Sequence, residues 1–577
     1  MTRRIRAVIV TLLTSAVAAI LWVPGSRFTR AQSNAQEAPY DVVIRNGHII
    51  DGTGSPWYWG DVGIRDGRIA AIGNLSRAHA KQVIDAAGRV VAPGFIDMLG
   101  QSEVTMLVDP HVPSKIFQGI TTEITGEGDS VAPQTDATLK DFHEEFAHYG
   151  VTPNWRTFTQ YFARLQKQGM GINLGTYVGA TIVRRVVIGD ADRTATPADI
   201  EKMKALVAEA MREGALGLST ALQYPPAPYA STDELIALAS VASQYGGIYA
   251  THMRSEGDGE MAALAETARI AREAHIPVEI FHLKTAGKPN WGKMPQVVAF
   301  IDKQRSEGVD IEADTYAYTA WNNDLAAFIP PWAHDGGDAK MIARLKDPAT
   351  RARIRKDMQT PSASWDNEWQ EVSGPEGVLI SSVQNPELMP LQGKTLADVA
   401  KMWHEDPIDA LCDLLIKDNA FTNVSVFGMS EPDVELALKQ PWVSIDNDYG
   451  GMSPTGLLGK EHAHPRAYGT FPRIIRKFVR DKHLLTLPDA IRKFSALPAQ
   501  REHLIDRGVL KKGMWADVVV FDPAKLHDVG TYENPNQLAV GMDYVLVNGV
   551  PVIAAGKMTK ALPGKVLYGP GYKSSNK

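Results

Sequence analysis

The chain has 577 residues, enough for two domains or one large barrel with additions rather than a single small core. Its 44% hydrophobic and 22% charged residues are ordinary for a globular enzyme, and a net charge of −6 with no basic stripe argues against nucleic acid as the main partner. A single cysteine, Cys412, excludes an intrachain disulfide, and its setting in DALCDLLI reads as a core thiol rather than a nucleophile.

At the N-terminus Arg3, Arg4 and Arg6 precede the apolar run AVIVTLLTSAVAAILWV, and a polar segment follows. This is the layout of a secretory signal and linker over residues 1–38, with Thr29-Arg30-Ala31 as a cleavage site, so export to the periplasm is expected. The apolar run is nearly long enough to span a bilayer, which leaves an uncleaved anchor as the alternative. The opening TRR resembles a twin-arginine signal, although Arg6 stands where that signal usually has an apolar residue.

Residues 39–92 alternate as a small β-domain, with Asn46-Gly47 and Asp66-Gly67 as tight-turn dipeptides between apolar runs. Similar text returns in residues 496–566, in ADVVVFDP and YVLVNGVPVIAAGK. The two segments are expected to pair into one β-sandwich, with residues 93–495 inserted between them and a disordered tail over 567–577.

The middle alternates strand-like runs with amphipathic helical stretches. The runs are GFIDM, TTEIT, NLGTYVG, GALGLST, GIYATHM, PVEIFHLK, DIEADTYAY and WVSIDND. Between them lie helical segments such as Pro197–Glu213, with Thr196-Pro197 as a cap signal. Eight strands with helical crossovers make a (β/α)8 TIM barrel the economical reading; a doubly wound sheet lacks the Gly-rich phosphate turn after its first strand. The interval of about 320–440 after the seventh strand is helical in pattern and reads equally as a wall over the catalytic face or as a peripheral subdomain.

In such a barrel the polar residues at the C-terminal strand ends converge on one pocket. They are Gln101, Glu127, Asp129, His252, Arg254, His282, Lys284, Tyr316, Tyr318, Asp446 and Asp448. A strand-end histidine alone is usually an unrelated polar residue. The strand–histidine–charge pattern occurs twice, however, thirty residues apart, and points to a metal site. Two imidazoles and a carboxylate suffice for zinc, which supplies hydroxide at neutral pH by lowering the pKa of water to roughly 7. A further carboxylate, Asp448 or Asp446, can take the water's proton and pass it to a leaving amine.

The text YDVVIRNGHIIDGTGSP, PGFID, QGITTEITG, EGALGLSTAL, YATHMRSE, HLK with NWG, DTYAYTA, HPRAYGTFPRII, LPAQR and DRGVLKKGMWADVVVFDP resembles the amidohydrolase superfamily, in its N-acyl-D-amino-acid deacylase (D-aminoacylase) branch. The likeness runs nearly the length of the chain beyond the signal. It implies that His252 and His282 hold the principal zinc, that Asp448 is the general base and acid, and that Arg466 pairs with the substrate carboxylate. Lys284 and Tyr316 match positions that line the substrate pocket.

Two departures bear on the metal. Leu99 and Gln101 stand where the superfamily usually has His-x-His, so a second metal is expected to be absent or weak and one zinc per chain is expected. GEGDS replaces the cysteine-bearing turn, with Glu127 as the substitute ligand and Asp129 as the alternative. The expected activity is hydrolysis of the amide of N-acyl-D-amino acids or related N-acyl amino acids. Alternatives are an amidohydrolase of dipeptides, cyclic amides or lactones, or a ligand-binding barrel with reduced catalysis. The expected partner is a small molecule, with no nucleic acid and no membrane contact beyond the signal segment.

Overall fold

The computed structural model describes residues 39–362 and 364–573, so the expected signal over 1–38 lies outside the described residues. Eight short, almost wholly buried parallel strands form the barrel. They are β1 (Phe95–Asp97), β2 (Ile120–Thr125), β3 (Asn173–Thr176, continued by Val178–Gly179), β4 (Gly217–Ala221), β5 (Ile248–His252), β6 (Val278–Ile280), β7 (Ile311–Thr315) and β8 (Val443–Ile445). Strands β1 to β3 hydrogen-bond in sequence, as do the second segment of β3 through β8. The seam between β8 and β1 is closed by the Met98 amide on the Ile445 carbonyl (3.4 Å) and by a parallel bridge from Gly100 to Tyr449.

That seam carries a buried polar knot. Lys115, fully buried, donates to Asp97 Oδ2, Asn447 Oδ1 and the Tyr449 carbonyl, each at 2.7 Å, and lies 3.2 Å from Glu123. The Asn447 amide donates to Asp97 Oδ1. One ammonium therefore ties the first strand to both neighbours of Asp448, and each of its three protons has an acceptor.

The crossover helices obey their local chemistry. Pro197–Glu213 opens on a capping box in which Thr196 and Asp199 exchange side chain–backbone hydrogen bonds, takes proline in its first turn, and ends on Gly214 at φ +116°. Its buried face is Met203, Val207, Ala210 and Met211, spaced by three and four.

The chain's two ends build the second layer as expected. Nine strands, Tyr40–Ile49 to Val90–Pro93 and Val518–Phe521 to Lys557–Met558, form one continuous sheet around a core of Val42, Ile44, Val62, Ile64, Val518, Val520 and Leu546. Antiparallel pairing of Val518–Phe521 with Val90–Pro93 joins the halves.

Two expectations need correction. The segment after β7 is helical only in part: Trp321–Asp324, Val378–Ser382 and Asn423–Val426 form a three-stranded antiparallel sheet, from runs too short to show a period. The expected disordered tail from 567 is packed through residue 573. The Leu567 amide donates to the Leu174 carbonyl, the Gly569 amide to the Gly214 carbonyl, and Tyr568 stacks on Tyr572 and meets the edge of Phe162. Among the described residues no helix is long and apolar enough to cross a membrane.

Candidate metal centre and its cavity

The barrel mouth opens into a cavity of 450 Å³, lined by residues from six barrel strand ends and from the segment after β7. Glu127 reaches it from the turn after β2. Gly179 makes that turn possible, because any Cβ there would lie 1.9 Å from the Gly128 carbonyl oxygen. His252 ends β5 and His282 follows β6, and their rings meet edge to face with centroids 4.6 Å apart.

The three side chains converge. Glu127 Oε1 lies 3.2 Å from His252 Nδ1 and 3.4 Å from His282 Nε2, and the three ligand atoms are all within 4.8 Å of one another. Burial alone would raise the Glu127 carboxyl, yet the two histidines hold it well below the usual carboxylate range. Asp129, the alternative ligand, is turned into an ion pair with Arg185 at 2.7 Å.

The far side of each imidazole is also held. His252 Nε2 donates to Gln223 Oε1 at 2.9 Å, and Gln223 Nε2 donates in turn to Glu368. With Nε2 engaged there, Nδ1 is the nitrogen turned towards Glu127 and the one that would ligate a metal. His282 Nδ1 lies 2.9 Å from Glu256 Oε1 and 2.7 Å from Lys284 Nζ, while Lys284 is itself 2.7 Å from the Glu256 carboxylate. A metal on Nε2 requires the proton on Nδ1, where Glu256 accepts it. Burial opposes ionisation of Glu256, but Lys284 and the two histidines hold its carboxyl far below the usual range.

Two residues here are bent into the left-handed region, His282 at φ +35° and Asp448 at φ +45°. Strain in a non-glycine backbone persists only where the surroundings impose it. At His282 the backbone amide donates to the buried Asp314, and at Asp448 the Lys115 knot grips both flanking residues.

Asp448 opens to the cavity, and Asp446, left open by sequence alone, is fully buried below it, raised to about 7 by burial first and by the nearby Asp448 charge. Burial raises the Asp448 carboxyl, while Arg466 and His282 oppose that rise. Arg466 NH1 is 2.8 Å from Asp448 Oδ2, and the guanidinium lies over the Tyr316 ring at 4.6 Å. Its Nε and NH1 have no aligned hydrogen-bond acceptor although the residue is 1% exposed. Donors in that state suit an anion brought by a ligand. Lys284 reaches the cavity wall, whereas Tyr316 is fully buried beneath Arg466 and sets the plane of its guanidinium.

Gln101 explains how the site manages without His-x-His. Its Nε2 donates to Glu127 Oε2 at 2.9 Å and to Asp448 Oδ1 at 3.1 Å. Both neighbours only accept, so the amide orientation is fixed and a donor occupies the space between the two carboxylates. Leu99 is buried in apolar contacts. The residues therefore fit one cation at Glu127, His252 and His282, the only such cluster among the described residues.

Sequence reasoning passed over Glu256, Gln223 and Lys115. Glu256 had a usable signal, since it stands four residues beyond His252 in YATHMRSE.

Comparison with known proteins agrees with this geometry. The amidohydrolase family model matches residues 82–357 and 459–553. A D-aminoacylase of Alcaligenes xylosoxydans xylosoxydans is 35% identical over 93% of this chain and 99% of its own length, and an N-acyl-D-glutamate deacylase of the same organism is 33% identical over 91% and 96%. The solved N-acyl-D-glutamate deacylase of Bordetella bronchiseptica, complexed with zinc and a phosphonate mimic of the tetrahedral intermediate, superposes with a TM-score of 0.76 at 32% identity, covering 92% of this chain and all of that one. On these matches the chain belongs to the amidohydrolase family, in its N-acyl-D-amino-acid deacylase (D-aminoacylase) branch.

Proposed function

We propose that the protein is a zinc hydrolase that cleaves the amide bond of N-acyl-D-amino acids. The observation that carries this reading is the convergence of Glu127, His252 and His282 beside the Asp448–Arg466 pair in one cavity. A zinc ion held by those three residues supplies an activated water and a Lewis acid for the amide carbonyl. Asp448 takes the proton of the attacking water and delivers it to the departing nitrogen. Arg466, paired through NH1 with Asp448 and with no acceptor at Nε, offers its guanidinium to the substrate carboxylate, and Tyr316 beneath it holds the plane of the fork. Lys284 keeps Glu256 ionised, so that Glu256 anchors the outer nitrogen of His282.

One ion per chain is the stoichiometry we propose, supported by the Gln101 amide between Glu127 and Asp448 and by the apolar Leu99. The test is metal analysis of purified protein alongside hydrolysis of N-acetyl-D- and N-acetyl-L-amino acids. About one zinc and release of acetate from the D series are expected. His252→Ala should lose metal and hydrolysis together, and activity that survives exhaustive chelation would sink the reading. We also propose export to the periplasm, supported by the basic-then-apolar pattern of residues 1–38; recovery of full-length, unprocessed protein in the cytosolic fraction would refute it.

A further inference from the structure

The cavity has a second wall, made by the segment after β7, and its charges are of one sign. Asp366, Glu368 and Glu371 line it and are 6%, 1% and 6% exposed. Asp366 accepts from the Ser255 hydroxyl and, at 2.7 Å, from the Glu256 amide. Glu368 accepts from the side-chain amides of Gln223 and Asn323. These donors are neutral. Lys284, whose charge is felt at Asp366, is ion-paired with Glu256 at 2.7 Å.

Glu371 goes further, because its carboxylate has no hydrogen-bond or ion-pair partner among the described residues. It is seated against bare backbone: a Cβ at Gly257 would lie 2.0 Å from Glu371 Oε1, and one at Gly287 would lie 2.8 Å from its Cγ. The fold thus makes room for a buried carboxylate and leaves it facing the cavity. Burial first, then repulsion from neighbouring acids, raises all three carboxyls, Asp366 to about 7 and Glu368 to about 8.

We propose that Asp366, Glu368 and Glu371 form a subsite for an ammonium or guanidinium group carried by the substrate. This rests on the reading of the site as an N-acyl-D-amino-acid hydrolase and adds the charge of its substrate. An organic cation fits better than a second metal, because only Glu127, His252 and His282 bring three ligand atoms close enough for an ion among the described residues. An ammonium with three donors can address carboxylates that are spread around it. The cation can sit on the amino acid's side chain or on the acyl group.

Two pairs of compounds separate those sources on the zinc-loaded enzyme: N-acetyl-D-lysine against N-acetyl-D-norleucine, and glycyl-D-norleucine against N-propionyl-D-norleucine. In each pair only the ammonium differs materially. Hydrolysis and calorimetric binding are measured separately. One ammonium compound should exceed its neutral partner by about tenfold or more in kcat/KM, the size of a hydrogen bond to a charged group, and the pair in which it does so identifies the source. In Glu371→Gln that ratio should fall severalfold, with a thermal midpoint no lower than wild type, since the change removes an unpaired buried acid. The proposal is overturned if both ammonium compounds are equal to or poorer than their partners. It is equally overturned if the ratio is unchanged in both Glu371→Gln and Asp366→Asn. Failure to hydrolyse any of the four compounds refutes the functional reading, and the ratio of calorimetric affinities then decides the subsite by itself.

Discussion

The two walls of the cavity treat charge in opposite ways. At the metal centre the ionic groups are answered within the protein: Glu127 by two histidines and Gln101, Glu256 by Lys284, Asp448 by Arg466. On the side of the inserted segment three buried acids have only neutral donors or none. Desolvated charge is costly unless paired, so the first wall is preorganised before any ligand arrives, while the second is completed by what it binds. The barrel mouth carries the reaction and the insertion selects the substrate. This division is physical as well as topological, because strand ends are rigid and an inserted segment can vary without disturbing them.

Breaking the balanced wall should have the largest effects. Asp448→Asn keeps the shape but cannot take a proton, so kcat should fall by about 10²- to 10⁴-fold with zinc content retained, checked by steady-state kinetics and metal analysis. Lys115→Met leaves Asp97 and Glu123 buried without their cation. It should cost about 3–5 kcal/mol in denaturant unfolding, and loss of less than 1 kcal/mol would show that the knot is not a paired charge. Glu256→Ala removes the acceptor for the His282 Nδ1 proton, and zinc affinity in chelator competition should weaken by about 10- to 100-fold. An unchanged affinity would mean that the outer nitrogens of the imidazoles need no fixed partner.

Much of the barrel was legible because its strands are short apolar runs separated by helical stretches, and histidine ends one of them and closely follows another. The eight runs read from the sequence overlap all eight barrel strands. What stayed hidden depends on direction and on distant partners. Gln223 follows β4 in a loop with three prolines, and nothing local says that its amide spans His252 and Glu368. Lys115 lies in a short helical turn and meets Asn447 and Tyr449 more than three hundred residues later. Glu127 could be told from Asp129 only once Arg185 was seen to take Asp129. The acids of the insertion had no signal at all, because a charged residue in a helical stretch reads as solvated until packing buries it.

A smaller effect tests whether the second wall is uncharged before substrate binds. Burial raises Glu368 from its ordinary 4.5 to about 8, against hydrogen bonds that lower it. A carboxyl whose folded-state pKa is raised stabilises the fold while it is protonated in both states, and that contribution is lost as pH rises from its ordinary value through the folded one. Glutamine at this position is neutral throughout and can still accept from Gln223 and Asn323. Glu368→Gln should therefore gain on wild type by a few degrees in thermal midpoint between about pH 5 and pH 8. Zinc-free protein should be used, so that metal release does not mask the change. A midpoint difference that is flat across that range would mean that Glu368 is ionised and already balanced, and the contrast between the two walls would fall with it.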